Sequence, residues 1–146
     1  MKENKRTKNL TLRDIHVGDW VQIWYSDKGE YSHPLLVSII DLDGTIGLSE
    51  DYEHSFIDSL YVIADIKNID AIPITPERLR EFGFELEHDS ELNDKVIYDG
   101  KTVSLIRKPN KKIKEYHWLD YFYMHEYIAF AESILGIHVQ WKGGEQ

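Results

Sequence analysis

The stretch "IPITPERLREFGFE", residues 72–85, decides how this chain is read. Thr75 offers a hydroxyl that can accept a hydrogen bond from an unpaired N–H of a first helical turn. Pro76 follows at the position where its missing N–H is not needed and its fixed φ suits a helix. Glu77 adds negative charge at the positive end of the helix dipole. Ile74, just before the cap, stands at the spacing of a hydrophobic staple with Leu79. Gly83 supplies a left-handed stop, and Phe84 beyond it can fold back onto Leu79. The spacing predicts a helix from Pro76 to Phe82, gripped at both ends through Leu79. An element this short does not hold itself in water. It must dock on something larger, as a structural joint between two β units. The competing reading is an exposed recognition helix with Arg78 and Arg80 as contacts.

Upstream, the pattern is β. "VGDWVQIWY", 17–25, starts a strand after a Gly-Asp turn, and "SDKGE" closes it with another turn. "YSHPLLVSIIDLDG" reads as a second strand, with Pro34 near its start, ending in a hairpin turn at 41–44. "TIGLSEDY" is a third strand, and "SLYVIADIKNIDAIPI" holds one or two more. Short strands with tight turns suit a small SH3-like β-barrel or a strongly bent sheet over residues 11–73. Residues 1–10 read as a flexible tail.

Downstream, "FGFELEHDSELND" and "KVIYDGKTVSLIRK" form a β meander, with Asp99-Gly100 as its hairpin signal. Residues 118–136 carry the long helix, with Asp120 as candidate cap and Gly136 as stop. Tyr123, Tyr127, Phe130 and Ile134 make one apolar row on it; Met124, Ile128, Ala131 and Leu135 make a second. Two such rows predict a helix that is mostly buried. "IHVQW", 137–141, alternates like a final edge strand. The fold class is α+β, with a second unit over residues 74–146 in what reads as one compact domain overall.

Composition narrows the function. The chain has 146 residues, a formal charge of −9, 42% apolar residues and no cysteine. Disulfides, thiol catalysis and Cys-ligated zinc are therefore excluded. No secretory signal pattern and no apolar run of membrane-spanning length is present, so a cytoplasmic protein is expected. Charge is segregated. Residues 14–100 hold 20 acidic and 5 basic side chains, whereas "RKPNKKIK", 107–114, holds five basic residues and no acid.

Three stretches together carry a resemblance: "IHVGDWV" at 15–21, residues 72–85, and "MHEYIAFAESILG" at 124–136. They resemble a family of short bacterial proteins from prophages and mobile elements. That family has an "LRIGNYV" start, an "IPLTPEILEKLGFE" centre and a "VHELQNLYFALTG" C-terminal helix. His125, Glu126 and Gly136 keep their spacing. The family's Leu-Gln-Asn and Tyr-Phe are replaced here by Tyr127, Ile128, Ala129 and by Ala131, Glu132. The resemblance implies the architecture and a mobile-element setting, and it implies no activity.

No nucleophile motif, phosphate loop or dinucleotide fingerprint occurs, so a non-enzymatic module without cofactor is expected. The seven histidines form no metal-binding pair at helical spacing. The first place for a metal is His125 with Glu126 or Glu132, weighed against a hydrogen-bonded histidine at the helix rim. "DLDGTIGLSEDYE" lacks the ligand spacing of a calcium loop. The leading expectation is an acidic surface of Asp41, Asp43, Glu50, Asp51 and Glu53, gathered at one end of the barrel and used on a protein partner. The alternative is nucleic-acid binding through Arg107, Lys108, Lys111, Lys112 and Lys114 with the basic N-terminal residues, helped by the aromatic run at 116–123.

Overall fold

A computed structural model of the protein describes residues 6–52, 62–108 and 121–143. The chain divides into two compact units, Met1–Ile72 and Pro73–Gln146. Both are built around antiparallel sheets, giving an α+β chain. None of the described helices is long and apolar enough to cross a membrane.

Among the described residues the first unit is a bent half-barrel of six strands: β1 (Trp20–Tyr25), β2 (Glu30–Tyr31), β3 (Leu35–Ile40), β4 (Thr45–Ser49), β5 (Val62–Asp65) and β6 (Ile69–Asp70). The order is β2-β1-β3-β4-β5, and β6 pairs with β1. β1 is the hub. Trp20 and Val21 face Leu36 and Leu35 of β3, Gln22 and Ile23 face Asp70 and Ile69 of β6, and Trp24 and Tyr25 face Tyr31 and Glu30 of β2. One strand with three partners forces the sheet to curl, and the curl buries Trp20, Val21, Leu36, Val37, Ile46, Leu48 and Ile69. A one-turn 3-10 helix, Ile66–Asn68, links β5 to β6, with Asp65 accepting from the Lys67 amide as its N-cap.

Residues 6–10 are not the tail that their polarity suggests. Leu10 is buried, and its amide donates to the Ile69 carbonyl at 2.9 Å. Asn9 bridges Asp70, which is fully buried. Arg6 donates to both Asp70 oxygens, its Nε at 2.9 Å from Oδ2. Tyr31 Oη donates to the same Oδ2. A buried carboxylate is tolerable only when paired and hydrogen-bonded, and these three side chains supply that. The Asp70 hydrogen bond raises the Arg6 pKa; burial, followed by the bond to Asp70, raises that of Tyr31.

The second unit contains α1 (Pro76–Glu81), β7 (Phe84–His88), β8 (Asn93–Tyr98), β9 (Lys101–Arg107) and α2 (Met124–Leu135). α1 matches its sequence signature closely. Thr75 Oγ1 accepts from the Arg78 amide at 3.1 Å, Pro76 opens the helix, and Gly83 takes φ +90° just beyond it. Leu79 is the buried residue of α1, and Ile74, Phe82 and Phe84 are buried with it. α1 packs on β7. β7, β8 and β9 form the expected meander, and Asp99 and Gly100 both adopt positive φ (49° and 78°) in its two-residue turn. A turn of that type needs two left-handed residues, which Asp-Gly provides at low cost.

α2 starts at Met124 with Tyr123 as its N-cap residue; Asp120 lies outside the described residues. Met124, Tyr127, Ile128 and Ala131 form a single buried stripe. Of the first apolar row only Tyr127 is core: Ile134 is 51% exposed, and Tyr123 and Phe130 are only partly covered, whereas the second row supplies Met124, Ile128 and Ala131 to the stripe. Five rings link the meander to the helix in sequence of contact: Tyr98, Phe84, Tyr127, Phe130 and Tyr121, with centroids 5.4, 5.7, 5.9 and 5.6 Å apart. Residues 137–141 form no strand. Val139 donates its amide to Glu132 Oε2 at 2.7 Å, and Trp141 and Lys142 bond to Glu81. The alternation of "IHVQW" therefore buries Val139 without a sheet neighbour.

Tyr127 gives a pH-dependent prediction. Its hydroxyl bonds Ser104 Oγ at 2.6 Å, and burial pushes its pKa up to about 12, the Ser104 bond opposing in part. Above the unfolded value near 10, the unfolded chain has lost this proton and the folded chain holds it. Stability should therefore fall with rising pH between about 10 and 12, by about 1.4 kcal/mol per pH unit from this group. Denaturant midpoints across that range will show the slope, and Tyr127→Phe should flatten it.

Candidate interaction surface

The structure separates the acidic residues that the sequence groups together. Asp41 and Asp43 sit on the β3–β4 turn, where the Asp41 amide donates to the Thr45 carbonyl and Gly44 donates to that of Asp41. Glu50 and Asp51 follow β4 at its other end. Five strand residues lie between, a rise of about 17 Å. The four of these carboxylates that are described therefore do not gather at one end. Glu50 faces His33 at 2.8 Å, and Glu53 lies outside the described residues. Asp41 and Asp43 share one neighbourhood, and Asp65, not among the five, joins them there. Asp65 of β5 stands opposite Thr45 in register.

Register fixes what surrounds these acids. Ile39, Gly47 and Ile63 form one cross-strand row over β3, β4 and β5. Asp41, Thr45 and Asp65 lie two residues further along the same strands, on the same face. The other face carries buried Ile46 and Leu48. The outer face thus presents Ile39 (38% exposed) and Ile63 (63%) beside three carboxylates, with Leu42 at the turn 94% exposed. Gly47 keeps the row flat. A Cβ there would lie 3.1 Å from Ile39 Cβ, tighter than ordinary contact. β3 also bulges between Val37 and Ile39, the point at which Ile39 is set facing Gly47. The amide of Thr45 donates to Asp43 Oδ1 at 3.0 Å and holds the Asp43 carboxyl below its ordinary pKa, so it stays charged.

β5 is the end strand of this sheet. Among the described residues it pairs only with β4, and Val62 and Ile63 on it are exposed. An end strand with an open edge offers unpaired N–H and C=O groups to another extended chain.

The basic residues are arranged differently. Arg107 ends β9, exposed. Lys108 is engaged within the unit, its Nζ 3.4 Å from Asp94 Oδ1 and donating to His88 Nδ1 at 2.8 Å. Lys111, Lys112 and Lys114, and the aromatic residues 116–120, lie outside the described residues. Of the aromatic run, Tyr121 is occupied against Phe130, whereas Phe122 is 47% exposed. His125 stacks on Tyr123 with ring centroids 6.2 Å apart. Glu132 caps the Val139 amide and approaches His138 Nδ1 at 3.6 Å, so its carboxylate is committed to the C-terminal segment. On α1, Arg78 pairs with Glu81 at 2.8 Å, which leaves Arg80 as the outward cation of that helix.

Compared with family models, curated proteins and solved structures, the chain matches none at a significant level.

Proposed function

We propose that the protein is a non-enzymatic interaction module. In this reading the first unit is a barrel of the SH3-like kind, whose β3–β4–β5 face takes an extended, basic segment of a protein partner. The observation that carries the reading is the exposed Ile39–Ile63 row beside Asp41, Asp43 and Asp65 at the edge of β5, which has no second strand partner among the described residues. A partner strand added to β5 would satisfy backbone groups of that edge. Its aliphatic side chains would cover Ile63 and Ile39, and its Lys or Arg residues would face the carboxylates. The SH3-like assignment is supported by the link through a 3-10 helix to a last strand paired with β1. The resemblance around residues 72–85 favours a prophage or mobile-element setting in a bacterial cytoplasm.

The test is a comparison of wild type with an Ile63→Lys/Asp65→Lys variant, both carrying a photo-crosslinker at Leu42. Wild type should trap a discrete protein through a basic segment, with capture falling as salt rises. The variant should lose it, and so should Ile63→Lys alone, which keeps the Asp65 cap of the Ile66–Asn68 turn and should melt with wild type. An identical set of trapped proteins would remove this face from consideration. The nucleic-acid reading has its own assay, a gel shift with DNA and RNA at two salt concentrations. Binding that disappears on charge reversal of Lys111 and Lys112 would transfer the function to the basic segment.

A further inference from the structure

The second unit contains a cleft of about 290 Å³ between the end of α1 and the C-terminal segment, lined by Arg80, Glu81, Lys142 and Gly143. We propose that it is a binding site for a small oxyanion: inorganic phosphate or a small phosphate monoester. The inference is independent of the β5 face and rests on how the charges in the cleft are distributed.

Glu81 contributes the negative charge there, and that charge is already compensated. Its Oε1 accepts from Arg78 at 2.8 Å and from the Trp141 indole N–H at 2.8 Å. The backbone carbonyls at the end of α1, which would repel an anion, are also engaged. The Arg80 carbonyl accepts from the Gly83 amide at 2.9 Å, and the Glu81 carbonyl from the Lys142 amide at 2.7 Å. Two cations remain. The Arg80 guanidinium has no ion pair or side-chain hydrogen bond among the described residues. The Lys142 ammonium stands 5.9 Å from the centre of the Tyr98 ring, which orients it without neutralising it. In a chain with a net charge of −9, two uncompensated cations on one concave wall are a local inversion of sign.

The cleft is held in shape from both sides. Lys142 and Trp141 peg the C-terminal segment to Glu81, so the backbone that carries Lys142 is fixed against the helix that carries Arg80. Gly83 leaves the room that the cation needs. A side chain there would place its Cβ 3.2 Å from the Tyr98 ring and 3.4 Å from Lys142 Nζ. At Gly143 a Cβ would fall 2.8 Å from the Trp141 indole, so the backbone lies directly against that ring. A guanidinium fork with a nearby ammonium suits phosphate oxygens. The volume exceeds that of one phosphate group and leaves space for a small organic substituent.

The experiment is an amide and arginine side-chain NMR titration of the full chain with inorganic phosphate. Sodium chloride at matched ionic strength is the control, and glycerol phosphate in a parallel titration shows which of the two forms is preferred. Resonances of Lys142, Gly143 and Arg80 should move and saturate at millimolar phosphate. Arg80→Gln and Lys142→Gln should each weaken binding by about tenfold, as expected for loss of one charge-assisted hydrogen bond. Both are surface changes and should leave the melting point unaltered. Shifts no greater than those with chloride, or equal affinity in the Arg80→Gln/Lys142→Gln double variant, would overturn the assignment.

Discussion

Leu79→Ala should destabilise the second unit by about 2–5 kcal/mol, the range for truncating a buried leucine. The loss is expected at the upper end. α1 has six residues, too few to persist without docking, and Leu79 is the buried side chain through which it docks. Its near neighbours in the chain, Ile74, Phe82 and Phe84, are all within 1% of complete burial, which marks a tightly packed region with little freedom to collapse into a cavity. The consequence also spreads. If α1 loosens, Glu81 releases Trp141 and the Lys142 amide, and the C-terminal segment loses its two bonds to the helix. Urea titration followed by tryptophan fluorescence measures both effects. A variant that unfolds at the wild-type midpoint would show that α1 is held by something other than Leu79.

Arg6→Ala has the second largest expected effect. Asp70 is completely inaccessible to solvent, and removing Arg6 leaves its charge with only Tyr31 and Asn9 as side-chain partners. Breaking a buried pair commonly costs about 3–5 kcal/mol. Here about 2–3 kcal/mol is expected, because the Arg6 side chain is 35% exposed and solvent screens part of the interaction. Asp70→Asn in the Arg6→Ala background should restore part of the loss. A double-mutant cycle isolates the coupling, and a coupling near zero would mean that Tyr31 and Asn9 alone suffice to hold Asp70.

These two sites differ in how far the sequence announces them. The determinants of α1 lie within eleven residues, from Ile74 to Phe84, and each acts on its neighbours, so the helix could be read in full. The turns at 41–44 and 99–100 are legible for the same reason, since turn chemistry is local. The clasp at Asp70 is not legible. Arg6 and its partner stand 64 positions apart, and nothing within residues 1–10 distinguishes a docked segment from a solvated one. The "IHVQW" stretch shows the reverse case. Its alternation is real, but a strand exists only where a neighbouring strand pairs with its backbone; here the Glu132 carboxylate accepts the Val139 amide and Glu81 holds the Trp141 indole and the Lys142 amide just beyond. For the interaction surface, the sequence named Asp41 and Asp43 and missed Asp65. The register that sets Asp65 opposite Thr45 depends on which strand pairs with β4. An unusual signal was present at Gly47, a glycine in the middle of a strand, which marks a close approach of another group.

The clasp also imposes an order on biosynthesis. Arg6, Thr7, Asn9 and Leu10 are made well before residues 66–71, which hold most of their bonds. At about 5–20 residues per second, the 64-residue separation corresponds to roughly 3–13 s during which Arg6 lacks its carboxylate partner, although Tyr31 and Trp24, which also touch the segment, are made sooner. The first unit can then close only as its last strand is delivered, so residues 6–10 are among the last to find their full set of partners.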